Sequence, residues 1–195
     1  GCGGHARALI DVVESGKTWQ IWGLVGMPEE VGSQVFDYPV LWSNLDLPRL
    51  REQCPHALLA IGQIGLSLQR PKLAKQLKDL DFIIPSLISN HALISRHAQL
   101  GSGTTVGHGV IVNSGAQVGN HCILNSRALV EHDVVIGDFC HISTGALVNG
   151  GVKIGDGSFI GSGAILREGI ELPSNTVISA GTRVMGWPMR EGKVR

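Results

Sequence analysis

The chain has no excess of charge: 16 Lys and Arg stand against 16 Asp and Glu in 195 residues, with a pI near 7.2. A balanced chain has no global field to gather nucleic acid or an anionic membrane, so neither is expected as a partner. It has no apolar run of transmembrane length and no stretch with the form of a signal peptide, and a cytoplasmic location is expected. Cysteine is sparse, and Cys2, Cys54, Cys122 and Cys140 show no metal-ligand spacing. Cys122 and Cys140 read as small core residues, with a disulfide between them as the lesser alternative. The chain opens without Met on a glycine turn, and a strand before Gly1 is expected.

What is present is a repeat. Every sixth residue from Ile88 to Val184 is Ile, Leu or Val. Two residues upstream of each runs a second lattice of small or compact residues, among them Ala92, Thr104, Ala116, Cys122, Ala128, Cys140, Ala146, Ser158 and Ala164. A period of six fits neither an α-helix nor an ordinary hairpin sheet; it is the hexapeptide β-helix repeat. Three hexads close a triangular coil, with the large aliphatic residue stacking inward on its counterpart about 4.8 Å away. Gly101, Gly107, Gly119, Gly137, Gly155 and Gly161 follow the aliphatic position, where positive-φ turns are expected. About five coils are expected.

Residues 1–85 read as a small Rossmann-like α/β domain and 86–195 as the β-helix domain. After the turn Gly3-Gly4-His5, the residues Ala6, Leu9, Ile10 and Val13 lie at helical spacing and Gly16 stops the helix. Residues 18–25, 38–41, 56–61 and 81–84 read as strands and residues 48–53 as a short helix. A last helix opens at Pro71 with Leu73, Leu77 and Leu80 as its buried stripe. Alternating strands and helices imply a small parallel sheet. The glycine turn at a helix N-terminus could hold a phosphate, or be a plain strand-to-helix turn. No acid follows the second strand, where Gly26-Met27 stands, so a full NAD site is not expected.

Along the coils, Glu131-His132-Asp133, with His141 nine residues later, is the polar cluster with chemistry in it. Histidine takes a proton near neutral pH, and a neighbouring carboxylate fixes its tautomer and stabilises the imidazolium. On spacing alone the plain reading of His132 is a solvated turn histidine. His108 and His121 read as turn residues, and no tight His pair supports a metal.

The glycine turn, the small α/β domain, and coils bearing Leu129-Val130-Glu131-His132-Asp133 and Cys140-His141-Ile142-Ser143 together resemble one family. It is the bacterial sugar O- and N-acetyltransferases, which include nucleotide-amino-sugar N-acetyltransferases and the sialic acid O-acetyltransferase. The resemblance implies a left-handed β-helix and a homotrimer with sites between adjacent β-helices. It implies His132 as general base and Asp133 as its orienting acid. It places His141, Gly161, Ser162, Gly163, Ala180, Gly181 and Arg190 around acetyl-CoA, and Gly3, Gly4, His5, Gly62 and Gln63 in the substrate domain. Gly26-Met27 departs from the family's paired acid at the nucleotide end.

The expected function is acetyl-CoA-dependent N-acetylation of a nucleotide-linked 4-amino sugar in surface glycan biosynthesis, without a metal. O-acetylation of sialic acid or a related sugar, and a non-enzymatic β-helix binding module, stay open. An oxyanion donor is expected at a coil turn, around Gly145 or Gly163. Arg183, Arg190, Lys193 and Arg195 could meet the CoA phosphates or be solvated.

Overall fold

A computed structural model describes residues 1–188. Helix α1 (Gly4–Glu14) buries Ala6, Leu9, Ile10, Val12 and Val13 on one side. It ends where Ser15 Oγ donates to Val12 O at 2.8 Å and the Gly16 N–H reaches Val13 O. Of the expected strand at 18–25 only β1 (Leu24–Gly26) pairs, in parallel with β3 (Tyr38–Ser43). The short β2 (Gln34–Val35) adds to β3 antiparallel. Residues 56–61 run extended but make one isolated bridge, His56 to Ile83. Residues 19–25 and 56–60 both line an apolar cavity of about 300 Å³ and, among the described residues, exchange no backbone hydrogen bonds, so they form no ladder. At this cavity, which Gly1 also lines, the Gly1 amine donates to Val25 O at 2.7 Å.

Helix α2 (Leu47–Gln53) carries Pro48 in its first turn, where a missing N–H costs nothing. Helix α3 (Gln69–Asp79) starts two residues ahead of Pro71 and buries Arg70, Ala74 and Leu77, with Leu73 and Leu80 only partly covered. Arg70 is 0% exposed. Its guanidinium donates to Ile61 O (2.6 Å), Leu59 O (3.4 Å) and His121 O (2.9 Å), tying the extended segment of the first domain to the coils.

From β4 (Leu87–Ile88) to β20 (Arg183–Val184) the chain forms two-residue strands in three parallel sheets of six, six and five strands. Each residue pairs with the one 18 positions on, as Ile123 does with His141 and Leu129 with Leu147. Inside the triangle, the aliphatic lattice and the small-residue lattice form one continuous core: Val130, Ile142, Ala146, Val148 and Ile160 are all 0% exposed. Burying each of the larger aliphatics contributes about 1.5–3 kcal/mol. Cys122 and Cys140 are buried free thiols in that core, donating to Gly137 O and Gly155 O.

Positive φ falls two residues later than expected. It occurs at Gly145 and Gly163, and at Asp133 in the same corner position, rather than at Gly161. Gly161 is needed for a different reason: a Cβ there would lie 2.4 Å from the Ala180 nitrogen of the next coil.

The prism has three unlike faces. The outward residues of the first face are Leu87, Thr105, Ile123, His141, Phe159 and Val177; the first four are buried, and α1 packs at this face. The third face shows Gln99, Gln117, Val135, Lys153 and Glu171, with Lys153 Nζ and Glu171 Oε1 paired at 2.6 Å. The second face shows Leu93, Ile111, Leu129, Leu147 and Ile165, an aliphatic column of which Leu93 is 63% exposed.

Candidate active site

His132 and Asp133 stand at the corner between the second and third faces, between β11 (Leu129–Val130) and β12 (Val135–Ile136). His132 Nδ1 and Asp133 Oδ2 are 2.9 Å apart, which leaves Nε2 free for a proton from outside. The hydrogen bond to Asp133 raises the imidazole pKa above its ordinary value. Glu131 is turned the other way: its Oε2 accepts from Asn113 Nδ2 (2.9 Å) and from the His132 backbone N–H (3.2 Å). It therefore holds the corner rather than the ring.

Two glycines a coil away make room for this pair. At Gly115 a Cβ would fall 2.4 Å from Asp133 Oδ1, and at Gly150 one would fall 2.7 Å from His132 Cε1 and Nε2. Asn113, Gly115 and Gly150 escaped sequence reading, although their offset of 18 residues from Glu131, Asp133 and His132 was the available signal.

His141 does not join this cluster within one chain. Nine residues is half a coil, so His141 emerges on the first face, on the other side of the prism. There its Nδ1 lies 2.6 Å from the Gln63 carbonyl oxygen and so carries the proton, while Nε2 is buried without a partner among the described residues. Burial lowers its pKa. Gln63 also donates to Gly65 O (3.1 Å) and Gly157 O (3.5 Å), and a Cβ on Gly62 would sit 3.3 Å from His5 Cβ. Burial pushes the His5 pKa down to about 3, keeping the ring neutral. Gly3 is the N-cap of α1 and Gly4 its first residue. The expected substrate residues thus gather with His141 where α1 meets the first face.

Gly161, Ser162, Gly163, Ala180 and Gly181 stack at the third location, the corner between the first and second faces. Ser143 Oγ and Ser162 Oγ are 2.9 Å apart there. Arg190, Lys193 and Arg195 lie outside the described residues; Arg183 is exposed on the second face. The amides of Gly145 and Gly163 already donate to Ser126 O (3.0 Å) and Thr144 O (2.9 Å), so neither is open to an oxyanion. Near Gly26-Met27 stands Glu30, whose Oε2 accepts from the Met27 N–H at 2.7 Å at the end of β1. Sequence reading missed it because a 3-10 turn, Pro28–Glu30, folds it back. Among the described residues no cluster of three metal-binding side chains occurs, and no helix is long and apolar enough to cross a membrane.

Residues 1–77 match the family model for the PglD N-terminal domain. Comparison with curated protein sequences gave no match. Among solved structures, perosamine N-acetyltransferase from Caulobacter crescentus, in complex with CoA and GDP-perosamine, is 31% identical. The alignment covers 95% of this chain and 86% of that one, with a TM-score of 0.87. The chain belongs to the bacterial sugar acetyltransferases. The acetyltransferase domain of PglB from Neisseria gonorrhoeae, in complex with acetyl coenzyme A, is 27% identical over 97% of this acetyltransferase and 91% of that chain (TM-score 0.81). WeeI from Acinetobacter baumannii shares the fold at 24% identity, 97% and 96% coverage and a TM-score of 0.76. The coils of this acetyltransferase are accordingly a left-handed parallel β-helix, preceded by a small α/β domain.

Proposed function

We propose that this enzyme transfers the acetyl group of acetyl-CoA to the amine of a nucleotide-linked 4-amino sugar destined for a surface glycan. The observation that carries the reading is the His132–Asp133 pair at 2.9 Å, oriented with Nε2 outward and free. The CoA and GDP-perosamine held by the Caulobacter relative support the choice of donor and acceptor class. Glu30 at the end of β1 supports a nucleotide, because a carboxylate there suits ribose hydroxyls in a Rossmann-like domain.

In the reaction, the sugar amine attacks the thioester carbonyl carbon. A C–N bond forms, the C–S bond breaks, and the amine proton passes through His132 to the departing thiolate. General base catalysis of this kind contributes about 10²- to 10⁴-fold. Asp133 stabilises the imidazolium. Gly150 abuts the His132 ring and its amide has no hydrogen-bond acceptor among the described residues, which makes it the donor we assign to the developing oxyanion.

One chain does not assemble this site, because His132 is half a coil from His141 and a third of a coil from the corner of Gly161 and Gly181, across the full width of the second face. A homotrimer with the second face turned to the three-fold axis brings them together. The two corners flanking an inward face then meet the opposite corners of the neighbours. Burial of the aliphatic column Leu93, Ile111, Leu129, Leu147 and Ile165 drives that arrangement.

The test is thiol release from acetyl-CoA with UDP-, dTDP- and GDP-linked 4-amino sugars, and with free and CMP-linked sialic acid. Turnover with an amino-sugar nucleotide, reduced about 10²- to 10⁴-fold in His132→Ala, is the expected result. Turnover with sialic acid alone, or full activity in the variant, overturns it.

A further inference from the structure

Between α1 and the first face lies a recess of about 70 Å³. Its rim is hydrogen-bonded to itself. His108 Nε2 meets Asp11 Oδ2 at 2.8 Å, His108 Nδ1 meets Ser89 Oγ at 2.6 Å, and Asn125 Oδ1 accepts the Ser126 N–H at 2.8 Å. Beneath it the pairing is incomplete. Thr105 and His5 line the recess, and their Oγ1 and Nε2 atoms are buried without a partner among the described residues. Thr105 is 2% exposed. In the covered part of the first face its neighbours in the column are Leu87 and Ile123, so an aliphatic residue would pack at this position without leaving a buried hydroxyl unpaired. Leaving one unpaired is costly.

We infer that this recess receives one edge of the acceptor sugar, with a neutral ring hydroxyl hydrogen-bonded to Thr105 Oγ1 and His5 Nε2. The inference rests on the acetyl-transfer reading above. Size supports an edge rather than a nucleotide, since a cavity needs about 10–15 Å³ open to a water-sized sphere for each water it holds and this one takes only a handful. The neutral imidazole of His5 favours a hydroxyl over a phosphate, which would draw its hydrogen bonds from charged groups. Leu9 and Ile123 supply apolar contact for the ring's C–H face. Position supports it too. Ser126, on the rim, precedes His132 by six residues, a third of a coil, so the two differ in height by only about 1.6 Å. In the proposed trimer the neighbour's His132 therefore faces the mouth of the recess.

Thr105→Val keeps the side chain's shape and removes its hydroxyl; Thr105→Ser returns the hydroxyl. Steady-state kinetics would be run on both with the amino-sugar nucleotide and acetyl-CoA varied separately, and with acceptors deoxygenated at single ring positions. Thr105→Val is expected to raise the acceptor KM about five- to tenfold, with kcat and the acetyl-CoA KM changed less than about twofold, and Thr105→Ser to restore it. One deoxy acceptor should bind wild type and Thr105→Val alike. An unchanged acceptor KM in Thr105→Val, or a rise equal for every deoxy acceptor, overturns the inference and leaves the recess as a water site or a packing gap. Those outcomes leave the acetyl-transfer reading standing. A wild type that binds no amino-sugar nucleotide overturns both.

Discussion

Asp133 takes a backbone φ of 58°, a left-handed conformation that Asp tolerates better than most residues, and from it the carboxylate turns back to His132 Nδ1. The consequence is a sign that can be checked. A base acts in its neutral form, so activity rises with pH through the His132 pKa. Asp133 raises that pKa, and its removal lowers it toward the ordinary histidine value. Asp133→Asn is therefore expected to move the acid limb of kcat/KM to lower pH while the plateau falls about tenfold, from loss of the charge-assisted bond. A pH–rate profile of the two proteins reads both effects; a limb that stays in place would separate Asp133 from the base. This pair was legible in the sequence because its members are adjacent. Arg70, Thr105 and Glu30 were not. Each acts across a tertiary contact or a turn, and Arg70 even occupies a buried position that helical spacing would give to an apolar residue.

Among the elements, the coils were legible throughout because one hexad's rule holds for all of them and each strand's partner is its own counterpart 18 residues on. The α/β domain was less so. Residues 18–25 have strand composition, yet only Leu24–Gly26 pair, since a strand exists where a neighbour offers hydrogen bonds and the cavity beside residues 19–23 offers none. The same spacing by coils gives a clean perturbation of the site. The three atoms nearest to a Cβ at Gly150 are His132 ring atoms, at 2.7 and 3.3 Å, and this exposed ring can swing away. Gly150→Ala should leave the thermal midpoint within about 2 °C of wild type, as expected for a change that touches no core contact. Its kcat should fall about tenfold or more, because the base and the oxyanion amide are both displaced. A loss of kcat matched by a large fall in the midpoint would assign Gly150 to the fold instead of the site.

For the whole molecule, the proposed trimer draws its support from three unlike faces. The first face is engaged by the α/β domain, the third is polar, and the second leaves aliphatic side chains without cover. A trimer built on the second face puts the two halves of each site on different copies, and complementation tests this directly. His132→Ala removes the base and keeps the acceptor side; His141→Ala keeps the base and removes the histidine at the acceptor side. Each protein alone should be inactive. Mixed one to one and allowed to exchange subunits, they should regain roughly a quarter of the sites, because each active site needs one suitable copy on either side of the interface. Leu129→Arg in the aliphatic column should abolish the recovery and lower the mass in solution, since a charge would be buried at the axis. No recovery from a mixture whose trimers are shown to have exchanged would mean that one copy supplies both histidines. His132 and His141 would then have to act in separate steps, because half a coil of packed β-helix stands between them.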